Sequence, residues 1–197
     1  RLNRTLTEFY FTSKGYLCKY IFELHNHIDI ITYIDSDLYF FSNPSSLFDE
    51  LRGFSVGITK HNFHWSTIYF LKYGKYNAGW ITFRKDEDGL KCLNDWIRDC
   101  NNWCHAYVSG KKYGDQKYLD EWIRKYNGVK VINSKGANLA PWNLNKFKLS
   151  TQGKKIYVEN DLIIFFHFSK LEWIELNKFK TNLSRVYVRI SRIIKKR

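Results

Sequence analysis

Apolar positions along the chain fall into three stretches of helical period, separated by short runs of β-branched and aromatic residues. After Ser13 and Gly15, the residues Tyr16, Leu17, Tyr20, Ile21 and Leu24 repeat at three and four, which predicts an amphipathic helix with that stripe as its apolar face. A second stripe starts near Asp88 and takes in Leu90, Leu93, Trp96, Ile97, Cys100, Trp103, Cys104 and Tyr107, about five turns. The third begins at Gly114-Asp115, with Asp115 placed to act as N-cap, and continues through Tyr118, Leu119, Trp122, Ile123 and Tyr126. Between them, residues 28–34, 55–59, 80–83, 129–132 and 162–168 read as strands. Helices alternating with strands that are apolar on both faces predict an α/β sheet covered by helices. No repeat, low-complexity segment or interdomain linker interrupts residues 1–177, which therefore read as one α/β domain.

Composition narrows the class. The 197 residues, 44% of them hydrophobic, suffice for a single core and exclude a disordered chain. The longest apolar run, residues 162–166, is far short of a bilayer span. Four cysteines (Cys18, Cys92, Cys100 and Cys104) are too few for a disulfide scaffold and read as reduced, which suits the cytoplasm. Methionine is absent even at position 1, so the sequence reads as a fragment or a processed piece.

The net charge of +13 is unevenly placed. Eight basic residues and no acidic one lie in 178–197, and without them the charge falls to +5. On a helical wheel, Leu183, Val186, Tyr187, Ile190, Ile193 and Ile194 gather on one side of this tail, opposite Arg185, Arg189, Arg192, Lys195 and Lys196. A basic amphipathic helix of that kind suits an anionic membrane surface, or packing on the domain or a partner helix. Basicity with 18% aromatics is also compatible with a nucleic-acid-binding module. Against it, no RNA- or DNA-binding motif appears and the aromatics fall on helix core faces, so no nucleic-acid partner is expected.

The sharpest local signal is Asp35-Ser36-Asp37 at the end of an apolar strand. In extended backbone, carboxylates at i and i+2 share a face and can meet one hard divalent cation. The end of a strand in an open α/β sheet is also where ligands bind. Asp35 and Asp37 serve equally well as turn and capping residues. His167, within a late apolar strand, is either a core histidine or a ligand, and Asp115 either a helix cap or a catalytic carboxylate. Asn77 and Gly79 fit a turn before a strand, or a backbone that a ligand approaches closely. Trp142, beside Asn138 and Asn143, is either core or a surface on which a sugar stacks. Cys100, Cys104 and His105 lack a second ligand pair and read as packing.

Residues 31–51 (ITYIDSDLYFFSNPSSLFDEL) resemble the Asp-x-Asp region of GT-A-type glycosyltransferases. The likeness continues in order through 73–83 (YGKYNAGWITF), 114–119 (GDQKYL), 136–143 (GANLAPWN) and 163–169 (IIFFHFS), about residues 4 to 170 in all. Together these resemble bacterial nucleotide-diphospho-sugar transferases of cell-surface polysaccharide assembly. The resemblance implies a GT-A-like (Rossmann-like) mixed, mainly parallel sheet flanked by helices. It implies a metal-dependent transfer of sugar from a nucleotide-diphosphate donor to a glycan or lipid-linked acceptor, with retention; an inverting enzyme would instead use Asp115 as its general base. Asp35, Asp37 and His167 would hold Mn²⁺ or Mg²⁺; Asp115 and Gln116 would be catalytic; Asn77, Gly79, Asn138 and Trp142 would bind the donor or substrate. With only 34 residues before Asp35, the nucleoside-binding N-terminal part of such enzymes is expected to be largely lacking, and the remaining piece weakly active or inactive. A non-catalytic homologue is a separate alternative, against which the intact Asp35, Asp37 and His167 argue. A lipid-linked acceptor would bring the enzyme to the inner face of the membrane through the tail, residues 178–197.

Overall fold

A computed structural model describes residues 3–169, 172–176 and 178–180. In chain order the regular elements are α1 (Leu6–Leu24), β1 (Ile30–Ile34), β2 (Leu38–Phe40), α2 (Ser45–Glu50), β3 (Val56–Lys60), β4 (Tyr76–Arg84), α3 (Glu87–Asn102), α4 (Leu119–Lys125) and β5 (Val129–Val131). They continue as β6 (Leu149–Gln152), β7 (Lys155–Val158), β8 (Asp161–Leu162), β9 (Phe165–His167), β10 (Glu172–Glu175) and β11 (Lys178–Lys180). A 3₁₀ segment, Trp65–Tyr73, precedes β4, and a short one, Gln116–Tyr118, leads into α4.

The central sheet has the order β1-β4-β3-β5. β4 pairs antiparallel with both β1 and β3, while β3 and β5 are parallel. Three of the four strands therefore run one way and β4 alone is reversed. The expected mixed α/β sheet flanked by helices is present, but two of its three pairings are antiparallel because the reversed strand is central. The carboxyl ends of β1, β3 and β5 and the amino end of β4 meet at a single edge. One core cluster sets α1, α3 and α4 against the sheet, with Cys18, Phe22, Ile58, Ile81, Phe83, Leu93, Trp96 and Trp122 buried together. Leu47 and Leu51 pack with Trp80, Ile132 and Phe165 in a second cluster. A third, around Leu139, Val158 and Phe166, lies by the β6-β7-β8 meander.

Helix α1 departs from the sequence pattern twice. It begins well before Ser13, at a capping box in which Thr5 Oγ accepts the Glu8 N–H and the Glu8 carboxylate accepts the Thr5 N–H. Its buried side is not the large apolar stripe: Tyr16, Leu17, Tyr20 and Leu24 are exposed, whereas Lys14, Gly15, Cys18 and Phe22 are buried. The reason is steric. A Cβ on Gly15 would lie 2.7 Å from Ile97 Cγ1, so α1 approaches α3 closely through its small-residue face. The second predicted helix is α3, capped by Asp86, with Cys92, Leu93, Trp96, Ile97 and Cys100 inward; it ends at Asn102, before Cys104 and Tyr107. The four cysteines are free and buried.

Several short elements carry no strong period, namely β2, β6, β7 and the β10-β11 hairpin, and the strand expected over 162–168 divides into β8 and β9. Residues 178–180, expected at the start of the basic helix, are the strand β11, where Lys178 pairs with Glu175 across the hairpin. The amphipathic pattern of 183–197 lies outside the described residues. Among the described residues, no helix is long and apolar enough to cross a membrane.

Candidate metal and donor site

Asp35 follows β1 at the sheet edge, and its N–H donates to the Gly79 carbonyl at 2.9 Å. The chain then turns, with Leu38 N–H reaching back to the Asp35 carbonyl at 3.3 Å, so Asp35 and Asp37 flank a turn rather than sharing the face of an extended strand. The convergence of the two carboxylates with His167 comes from a second pairing. β2 runs antiparallel to β9 with Leu38 opposite His167, and Phe168 N–H donates to the Asp37 carbonyl at 2.9 Å. His167 Nε2 thereby lies 3.0 Å from Asp37 Oδ1 and 3.9 Å from Asp35 Oδ2.

One ligand atom from each of Asp35, Asp37 and His167 falls within 4.8 Å of the others. Ligands about 2.0–2.3 Å from a shared cation stand at such separations, and two carboxylate oxygens with an imidazole nitrogen form a reasonable donor set for Mn²⁺ or Mg²⁺.

β4 is built around this constellation. Its pairing with β3 jumps from Ile58 opposite Ile81 to Thr59 opposite Asn77, so a bulge falls at Ala78-Gly79-Trp80. A Cβ on Gly79 would lie 2.6 Å from His167 Cε1 and 2.6 Å from Asn77 Oδ1. The close approach that the sequence suggested at Gly79 is therefore made by the His167 ring. Gly79→Ala is expected to cost about 1–3 kcal/mol through overpacking and, if Asp35, Asp37 and His167 hold Mn²⁺, to weaken its binding about 10–100-fold by displacing the ring. Thermal melting and Mn²⁺ titration of the variant measure the two effects separately.

Asn77 is engaged at both ends of its amide: Oδ1 accepts the Gly79 N–H at 2.9 Å, and Nδ2 donates to His61 Nε2 at 3.1 Å. His61 is buried, stacked on Phe63 and edge-on to Trp142. Burial and the nearby His167 push its pKa down from 6.5 to about 3, so the fold holds it neutral. A depressed histidine contributes stability that is fully present above the unfolded value and is lost as pH falls toward the folded one. Melting curves between pH 7 and 4 should accordingly lose up to about 1.4 kcal/mol per pH unit from this group, and His61→Gln should flatten that loss.

Asn138 has φ +58° and donates through Nδ2 to the Lys60 carbonyl, while its Oδ1 is buried without a partner. Asn143 ties the same loop together by donating to the His61 and Asn138 carbonyls. The Trp142 ring stands edge-on to both His61 and His167, at 5.3 and 5.2 Å, and its indole N–H is buried without a partner. Its carbonyl accepts from His64 N–H and Thr67 Oγ, which anchors the 3₁₀ segment beside the site. That segment exposes Trp65, Ile68 and Tyr69.

Asp115 is not a helix cap. No side-chain cap bond is formed there, and the carboxylate instead meets the ammonium of Lys14 at 3.1 Å. Gln116 donates from its amide to the Tyr73 carbonyl at 3.0 Å, a structural tie to the 3₁₀ segment. Sequence reasoning missed Lys14 altogether. Its side chain is 7% exposed; its ammonium lies 3.0 Å from Asp35 Oδ1 and 4.9 Å from the centre of the Tyr33 ring, and donates to the Ala78 carbonyl. Burial lowers the Lys14 pKa, but Asp115 and Asp35 outweigh it and hold the group well above its ordinary value. Burial pushes the Asp115 carboxyl up, and Lys14 pulls it back. Tyr33 Oη donates to Asp35 Oδ1 at 2.9 Å. The signal that marks Lys14 is its position on the Phe11-Gly15-Cys18-Phe22 face, a lone cation amid small and apolar residues.

No protein-family model matches the chain. It is 30% identical over 170 residues to the uncharacterized protein YfnD of Bacillus subtilis (strain 168), a match covering 85% of this chain and 55% of that protein. It is 30% identical over 185 residues to the uncharacterized protein YfnF of the same organism, covering 90% of this chain and 61% of that one. The chain thus spans a little over half the length of these relatives. Among solved structures it resembles a glycosyltransferase involved in the glycosylation of the major capsid of PBCV-1, with a TM-score of 0.55 and 14% identity over 85% of this chain and 73% of that one. The likeness is one of fold: a mixed α/β sheet flanked by helices.

Proposed function

We propose that this chain carries the metal and donor site of a glycosyltransferase that moves a sugar from a nucleotide-diphosphate donor to a glycan or lipid-linked acceptor, with retention at the anomeric carbon. The observation that carries this reading is the convergence of Asp35, Asp37 and His167 at the edge where β1, β3 and β5 end, in a fold shared with a glycosyltransferase. Asp35 Oδ2, Asp37 Oδ1 and His167 Nε2 are the atoms that would hold Mn²⁺ or Mg²⁺. The cation would neutralise the charge that grows on the departing diphosphate.

The remaining chemistry belongs to the chain. Asn138 Oδ1 and the Trp142 indole N–H, both buried without partners, are an acceptor and a donor suited to sugar hydroxyls. Asn77 and Gly79 support the site from behind by fixing His61 and His167. Asp115, in a desolvated pocket, supplies negative charge that favours oxocarbenium character in the transition state, where such charge acts more strongly than in water. Gln116 holds the 3₁₀ segment against the strand end.

The exposed Trp65, Ile68 and Tyr69 argue for an acceptor with an apolar portion, and the basic 183–197 pattern for approach to an anionic surface. Co-sedimentation with anionic vesicles should fall on deleting 183–197 and on raising salt. Equal binding by both forms would remove the membrane from this reading.

The test is a panel of nucleotide-diphospho-sugars with Mn²⁺, following nucleoside diphosphate release and the anomeric configuration of the product. Release that requires metal and retains configuration is expected. Release without any metal requirement, or an inverted product, would overturn the corresponding part of the assignment.

A further inference from the structure

Lys14 occupies the position between two carboxylates that a second cation would otherwise take. Its ammonium is buried, 3.0 Å from Asp35 Oδ1 and 3.1 Å from Asp115 Oδ2, and comes from α1, an element with no other part in the site. The Ala78 carbonyl at 3.3 Å and the faces of Tyr33 and Phe11 complete its surroundings. Asp35 is thereby divided. One oxygen is committed to Lys14 and the Tyr33 hydroxyl, and the other is turned toward His167. Asp115 is committed to Lys14 and has no hydrogen-bond partner at Oδ2 beyond that ion pair.

We propose that Lys14 is a positioning residue that acts as a built-in cation, reserving Asp115 and one oxygen of Asp35 so that a divalent ion is confined to Asp35 Oδ2, Asp37 and His167. The inference rests on the metal-site reading above. Three carboxylates near one another attract divalent ions wherever two can share one. A fixed ammonium between Asp35 and Asp115 offsets one of their two negative charges and repels a second cation from the space between them. The charge on Asp115 is then kept at the site without the carboxylate becoming a ligand. A lysine suits this role because its ammonium is a compact point charge with three donors, here directed at Asp35, Asp115 and the Ala78 carbonyl.

Mn²⁺ titration followed by electron paramagnetic resonance on the full chain tests this, with melting curves as the control for folding. Wild type should show a single Mn²⁺ population. In Lys14→Met, the pair Asp35 and Asp115 is left without its counter-charge, and Mn²⁺ should bind about tenfold or more tightly with an altered line shape. Adding Asp115→Asn to that variant should restore the wild-type line shape. Asp115→Asn alone should leave the line shape and stoichiometry of the wild type unchanged, a result that does not depend on Lys14→Met folding. An altered Mn²⁺ signal in Asp115→Asn, or an unaltered one in folded Lys14→Met, overturns the role of Lys14 while leaving the metal site intact. Absence of any Mn²⁺ binding by wild type overturns the metal reading itself.

Discussion

If the proposed function holds, Asp37→Asn should lower Mn²⁺-dependent sugar transfer by about two to three orders of magnitude while leaving the fold intact. Asp37 Oδ1 stands 3.0 Å from His167 Nε2 at a partly exposed turn, and Asp35 lies beside it. In the absence of metal these carboxylates repel one another, so removing one charge relieves as much as it disturbs. Stability in metal-free buffer should hold within about 1 kcal/mol. With Mn²⁺ the picture reverses. Wild type should gain thermal stability as ligand accumulates, by mass action on the folded state, and the variant should gain little. Turnover should fall on the order of 10²–10³-fold, the scale seen when one element of charge stabilisation is removed from a desolvated site. A variant that retains both the Mn²⁺-induced shift and its turnover would show that the Asp35-Ser36-Asp37 turn is only a turn.

Asp115→Asn is the second large effect, and the structure changes its expected form. A cap residue could be exchanged for Asn at almost no cost. Asp115 is instead a buried partner of Lys14, 3% exposed, so the variant loses part of a charge pair that has no water to replace it. A cost of about 1–3 kcal/mol is expected, softened because Lys14 retains Asp35. Turnover should fall about 10²-fold or more if the carboxylate acts on the transition state. Melting and steady-state rates measured on the same preparation separate the two. Loss of stability with unchanged turnover would make Asp115 a partner of Lys14 and nothing further.

Much of this site was legible because its parts sit on strong local patterns. An apolar strand running into Asp35 and Asp37, and a histidine inside another apolar strand, announce themselves without any structure. What the sequence could not convey was how they meet. The i, i+2 argument placed Asp35 and Asp37 on one face of extended chain, whereas a turn and the β2–β9 pairing bring them to His167. Leu38–Phe40 is too short to stand out by period, so the strand that aligns the site went unseen. Helix α1 was misread for a different reason. Periodicity weighs large apolar residues and ignores the space that a glycine leaves, and Gly15 against Ile97 decides which face goes inward. That single packing choice buries Lys14. The parallel strand directions expected from an alternating pattern hold for β1, β3 and β5, but the reversal of β4 depends on its connection and bulge, which no local signal encodes.

The pairing of β2 with β9 has a kinetic consequence. Asp37 and His167 are separated by about 130 residues, and closing a loop of that length carries an entropic penalty before any contact offsets it. The sheet β1-β4-β3-β5 can form from nearer neighbours, with β1 and β4 joined across well under half that span. On refolding, the core of Phe83, Trp96 and Trp122 should therefore assemble ahead of the strand that carries His167, and the chain should pass through a stage that is folded by the fluorescence of these tryptophans yet blind to Mn²⁺. Metal binding in this protein would then report on the completion of the fold, arriving only when its most distant strands have found each other.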